Sequence, residues 1–119
     1  MCLITFQNEP YIAKKDIVVY KALNKTGKQI FSPFQQFSYI LKKLYQTDFG
    51  ITFGQTFVDK KLINEGFHGY INRKYAIFRW PNVYKCIIPK GSLYYISSDL
   101  QEIVSNQLIV KRKLWFNIF

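Results

Sequence analysis

Cys86-Ile87-Ile88-Pro89-Lys90-Gly91-Ser92-Leu93-Tyr94-Tyr95-Ile96 is the stretch on which the reading of this chain turns. Two runs of β-branched and aromatic side chains flank Pro-Lys-Gly, whose composition marks a turn, so the segment reads as strand, turn, strand. The first strand starts at Val83. After the second, Ser97-Ser98-Asp99 turns the chain again. Residues 102–110 then read as a strand pair, or as one long strand interrupted at Ser105-Asn106.

Upstream, Gly66-Phe67-His68-Gly69-Tyr70 sets the single histidine between two glycines. Those glycines permit positive φ or a close backbone approach, which leaves His68 two readings: an imidazole presented in a cleft, or a structural hydrogen-bonding residue. Residues 17–23, Ile-Val-Val-Tyr-Lys-Ala-Leu, form a continuous apolar run of strand length and read as a buried strand. Residues 24–28 follow as a turn, with Gln29-Ile30-Phe31 as the return arm of a hairpin.

Residues 1–6 read as a short strand or ordered tail, broken by Asn8-Glu9-Pro10. Residues 51–58 form a strand around Gly54, and residues 59–65 a helical turn or a loop. Residues 71–80 suggest a short helix capped by Asn72 and ended by Pro81-Asn82. Ser32-Pro33 opens a segment with two readings. Phe34, Phe37, Leu41 and Leu44 repeat at helical spacing behind an N-cap serine, whereas Phe37, Tyr39, Leu41 and Tyr45 share one face at period two. The fold class expected is α+β: a compact single domain spanning residues 1–119, mostly antiparallel strands with one or two short helices.

Composition narrows the function classes. The 119 residues suffice for one domain that buries about two-thirds of its unfolded surface. Hydrophobic residues make up 49%, which removes the disordered class. The 11 Phe and 9 Tyr exceed what so small a core takes in, so some rings are expected at the surface. Lys and Arg number 17 against 7 Asp and Glu, a net charge of +10. That field favours an anionic partner: nucleic acid, a nucleotide or an acidic protein surface. The bland counterpart is a lysine-rich solvated exterior. Arginine is scarce (Arg73, Arg79, Arg112), which argues against sequence-specific reading of DNA.

The chain offers little for bond-breaking. Cys2 and Cys86 are isolated and cannot complete a zinc set with one histidine, and no metal or cofactor is expected. Cys86 lies in a run that reads as buried, where a thiol is inert. No catalytic residue is assigned, and the chain reads as a non-enzymatic protein. No apolar stretch approaches the roughly 18 residues of a membrane span. A cytoplasmic setting is expected, with a virion as the alternative.

At the C-terminal end, Lys111-Arg112-Lys113-Leu114-Trp115-Phe116 interleaves charge and rings. Residues 111–119 therefore read as an interaction tail, with Lys111, Arg112, Lys113, Trp115 and Phe116 suited to phosphate contact and base stacking. The alternative is that Leu114, Trp115, Ile118 and Phe119 tuck into the core or form an oligomer contact.

Gln36-Phe37-Ser38-Tyr39, Lys43-Leu44-Tyr45, Gly66-Phe67-His68 and residues 86–92 together resemble a group of small uncharacterised domains from bacteria and their phages, which carry an F-x-Y, K-x-Y, GFH series. The resemblance spans residues 17–110. It implies that residues 37–45 are extended and that the chain is encoded by a phage or mobile element, and it brings no activity. Residues 84–96 are also similar to the strand–PxG–strand segment of mono-ADP-ribosyltransferase toxins. That likeness implies a nucleotide held near Val19-Tyr20-Lys21, with Lys21 in place of an arginine or histidine and Gly66-Phe67-His68 in place of a serine-threonine-serine motif. Tyr84-Lys85 stand where that family has glutamates, so the implied relative lacks the carboxylate that stabilises the transition state.

These readings nominate Tyr20, Lys21, His68, Tyr70, Arg73 and Lys90 as ligand-binding residues, and leave open whether Lys21, His68, Arg73 and Lys90 line one cleft or point four different ways. Three functions compete: a small basic binding module for an anionic partner, a nucleotide-binding enzyme on a transferase-like scaffold, and a virion, assembly or host-inhibitor protein.

Overall fold

The computed structural model describes residues 3–26, 29–31, 38–53, 61–76 and 82–114. Among them, the β-branched and aromatic runs become strands: β1 (Leu3–Thr5), β2 (Tyr11–Ile12), β3 (Ile17–Ala22), β4 (Asn24–Thr26), β5 (Gln29–Phe31), β6 (Ser38–Tyr39), β7 (Leu44–Gln46), β8 (Gly50–Phe53), β9 (Lys61–Glu65), β10 (Phe67–Tyr70), β11 (Val83–Ile88), β12 (Leu93–Ile96), β13 (Glu102–Ser105) and β14 (Gln107–Lys113). One helix, α1 (Arg73–Ala76), stands before β11. Every strand pairing is antiparallel.

Strand makes up 57% of the structure and helix 5%, so the expected α+β class is corrected to one close to all-β. The physical reason lies in residues 38–46. Lys42 takes a φ of 66°, which breaks the helical run and turns the chain between β6 and β7. Tyr39 and Tyr45 then meet edge to face at 5.3 Å, and the Tyr45 hydroxyl accepts a hydrogen bond from the Ile40 N–H. Residues 32–37 of that segment lie outside the described residues. The helix expected over 71–80 is present as α1, with the Asn72 side chain accepting from the Lys74 N–H; residues 77–81 lie outside. Residues 61–65, expected as helical turn or loop, form β9 because β1 and β8 claim its two edges. Residues 24–26, expected as a turn, pair with β5 as a hairpin.

The largest sheet runs β2-β12-β13-β10-β3-β11-β14-β7. In sequence β13 and β14 are separated by Asn106 alone, yet three strands stand between them in the sheet. The sheet must therefore curl until the two meet, with one long strand bent at the corner. Asn106 pins that corner: its N–H donates to the Leu93 carbonyl, its side-chain oxygen accepts from the Leu93 N–H, and its carbonyl accepts from Thr47 N–H. The strands flanking the turn of residues 89–92 consequently do not pair with each other: β11 lies between β3 and β14, and β12 between β2 and β13.

The concave face holds the main core. Val19 and Leu23 come from the β3 side, Cys86 and Ile88 from β11, and Leu108 and Val110 from β14. The small sheet β4-β5-β6 contributes Ile30 and Tyr39 to this core. On the convex face, the sheet β1-β9-β8 covers the β12-β13-β10 end, burying Leu3 and Ile63 against Tyr95 and Val104. The helix α1 buries Ala76 against Val83 and Leu114 further along the same face. No helix among the described residues is long and apolar enough to cross a membrane.

Candidate functional site

Cross-strand partners in an antiparallel sheet share a face, so register alone assigns side chains to the convex or concave surface. Tyr20 of β3 pairs with Tyr70 of β10 on one side and with Lys85 of β11 on the other, and Lys85 pairs with Arg112 of β14. The four form one row across adjacent strands on the convex face. Tyr20, Tyr70 and Lys85 are half-buried and Arg112 is exposed. Tyr20 and Tyr70 pack against the α1 cluster, and Arg73 sits on that helix. At the β13 end the row begins with Glu102, whose carboxyl is held above its ordinary range by burial and by Asp99.

The neighbouring convex row is apolar. Val18, Ile87, Ile109 and Leu44 are consecutive register partners across β3, β11, β14 and β7. Val18 is 38% exposed and Leu44 43%, so neither is covered by the α1 cluster or by the sheet β1-β9-β8. A basic–aromatic row, its tyrosine end packed against the α1 cluster, and an open apolar row thus lie side by side on the convex face.

The other nominated residues go elsewhere. Lys21 points to the concave side with Val19 and Leu23, is only 8% exposed, and donates from Nζ to the His68 carbonyl oxygen at 2.6 Å. Burial pulls its amine down to about 8, against a smaller upward pull from Cys86. The Cys86 thiol beside it is pushed up to about 12 by burial, so it stays protonated and unreactive. Lys90 is exposed at the turn past the Ile17–Ile88 end of the β3–β11 ladder, where its N–H donates to the Asp16 carboxylate. Lys21, His68, Arg73 and Lys90 therefore do not line one cleft: strand alternation sends Lys21 inward, and Lys90 lies at the opposite end of β3.

His68 shares the convex face with Val104, beneath β9. Its Nδ1 lies 3.2 Å from the Gly66 carbonyl and its Nε2 3.1 Å from that of Ile63, so the ring ties β10 back to the covering sheet. The hydrogen-bonding reading of His68 holds, and the cleft reading is corrected because the ring is 6% exposed. A neutral ring has one N–H for these two carbonyls. Burial, with the Lys21 ammonium, pulls the imidazole down to about 4, outweighing the two carbonyls. The unfolded chain takes up a proton near 6.5 while the folded protein does not, so stability falls as pH drops from about 6.5 to about 4 and levels below. The loss from this group is roughly 3 kcal/mol. His68→Gln should flatten that limb relative to the parent in urea titrations run at pH 4 to 7; an unchanged limb would place the acid sensitivity on the carboxylates.

Residues 111–113 belong to β14 and Leu114 is buried with Val83, so the expected tail is corrected to a paired strand up to that point. Pairing with β11 is what fixes it. Trp115 and Phe116 lie outside the described residues. Sequence reasoning missed Lys85, which carries no local signal; only its register between Tyr20 and Arg112 marks it. Comparison of the chain with models of protein families, with curated proteins and with solved structures gave no match.

Proposed function

We propose that the chain is a non-enzymatic binding module for an anionic partner, and that the partner is single-stranded nucleic acid laid across the convex face of β10, β3, β11 and β14. The observation that carries this reading is the row Tyr70, Tyr20, Lys85, Arg112, in which two phenol rings stand at one end and two cations at the other, with no sequence-specific fork of arginines. Rings stack on bases of any identity, and the lysine and arginine beside them neutralise phosphates. The net charge of +10 draws such a strand in from a distance. The adjoining apolar row supplies a floor for unstacked bases.

The test is binding of a fluorescent oligothymidylate across a salt series. Affinity should fall steeply with salt, and each phosphate contact removed by Lys85→Ala or Arg112→Ala should lower the logarithmic slope by about 0.7. Tyr20→Ala should cost roughly 1–3 kcal/mol at every salt concentration with the slope intact, because stacking is not ionic. Affinity indifferent to salt, or a Tyr20→Ala variant that binds like the parent, would remove the proposal.

A further inference from the structure

The basic end of the convex row is denser in charge than the row itself. Between Lys85–Arg112 and Cys86–Val110 the β11–β14 register shifts, which leaves Lys111 as the extra residue of a β-bulge, exposed beside Arg112. A bulge bends its strand and re-aims the side chain it carries. On the other edge of β14, the Lys42 N–H donates to the Val110 carbonyl at 2.8 Å, so the exposed Lys42 stands against the same bulge. Lys42 holds its φ of 66° in a region that glycine enters freely and lysine rarely. Two backbone irregularities thus gather Lys42, Lys111 and Arg112 at the end of the row, where Lys85 is the direct partner of Arg112 with Cβ atoms about 5 Å apart. The row's acid, Glu102, stands at its far end beside Tyr70.

We propose that this end of the row recognises the terminal phosphate of single-stranded nucleic acid, so that the module binds strand ends in preference to strand interiors. It rests on the nucleic-acid reading of the same face and names the part of the ligand that is selected. An internal phosphodiester carries one negative charge, which one lysine or arginine neutralises. Four cations around one bulge exceed that need. They match a phosphomonoester, which carries about −1.5 to −2 at pH 7 and offers three acceptor oxygens. Order along the row points the same way. Phosphate is drawn to the β14 end and repelled by Glu102 at the β13 end, and the rings of Tyr70 and Tyr20 between them take bases next to the end. Three strand spacings separate Tyr70 from Arg112, about 14 Å, a short footprint rather than a long track.

The experiment compares internally labelled oligothymidylates of one length that carry a 5′-phosphate, a 3′-phosphate or hydroxyls at both ends, with binding measured at pH 7 and low salt. A phosphorylated oligomer should bind roughly tenfold tighter than the hydroxyl-ended one, the scale of a charge-assisted hydrogen bond. Lys42→Gly suits the positive φ while removing the ammonium, and it and Lys111→Ala should each reduce that advantage severalfold. Lys14→Ala removes the same unit of charge from an exposed loop beside Gly91 and should leave the advantage intact. Tyr20→Ala should weaken all three oligomers alike. Equal binding of the three, an advantage that survives in the Lys42→Gly, Lys111→Ala double variant, or one lost equally in Lys14→Ala would overturn end recognition and leave general strand binding in place. Failure of all three oligomers to bind would overturn both.

Discussion

Gly66→Ala is expected to cost roughly 3–5 kcal/mol in urea unfolding, a large share of the stability of a domain this size. Gly66 joins β9 to β10, two strands that continue one another in sequence but belong to different sheets. It turns that corner at φ +132°, a region that L side chains rarely adopt. A Cβ built there would stand 2.6 Å from the Val104 methyl, 3.2 Å from the Phe49 ring and 3.3 Å from the Ser105 carbonyl. Overpacking of this kind costs about 1–3 kcal/mol and the backbone strain about as much again. Gly91→Ala separates the two parts. Gly91 also has a positive φ, +89°, yet nothing lies within 4 Å of its virtual Cβ, so only strain is introduced. The clash at Gly66 should further show as coupling: Gly66→Ala should be less damaging in a Val104→Ala background, where the closest methyl is gone. Equal losses at Gly66 and Gly91, with no coupling to Val104, would deny the corner its packing role.

That corner shows how far the sequence was legible. The glycines around His68 signalled positive φ or close approach, and both occur, at Gly66 and at Gly69 against the Tyr20 carbonyl. The strands β3, β11, β12, β13 and β14 followed from β-branched runs, and the break at Ser105-Asn106 was placed by composition. Pairing was not legible. Residues 83–96 read locally as strand, turn and strand, and nothing local says that β11 and β12 separate to opposite sides of a curled sheet. Residues 61–65 carry a helix-tolerant composition, and become a strand only because long-range partners lie on both edges. The candidate site divides the same way. Tyr20, Tyr70 and Arg112 were singled out for separate reasons, and register gathers them with Lys85. Lys21 carried a signal that went unread, since alternation through Val19, Lys21 and Leu23 already places a charge on the inward face of a buried strand.

Lys21→Met is expected to raise stability at pH 7 by about 2 kcal/mol and to change the shape of the alkaline profile. The folded amine titrates near 8 and the unfolded one near 10.5, so the unfolded chain holds the extra proton between those values. Stability from this group therefore rises as pH climbs from about 8 to about 10.5, and the amount withheld below pH 8 is roughly 3 kcal/mol. Methionine keeps the apolar stem and removes the charge; the His68 carbonyl loses its partner, which returns about 1 kcal/mol of that gain. Other groups titrate against the rise. The Cys86 thiol ionises near 9 when unfolded and near 12 when folded, so its contribution falls over that interval. The phenols of Tyr39, Tyr84 and Tyr95, all held up by burial, add to the fall from about pH 10. The parent should thus gain stability from pH 8 to 9, hold level to about 10 where amine and thiol oppose, and then decline as the phenols join the thiol. Lys21→Met should be flat to pH 9 and decline from there. Cys86→Ala, whatever its overall cost, should show the amine's rise uninterrupted to about 10. A parent profile that merely declines above pH 8, matched by that of Lys21→Met, would mean that the amine reaches water in the folded protein. The inward lysine would then carry no alkaline rise.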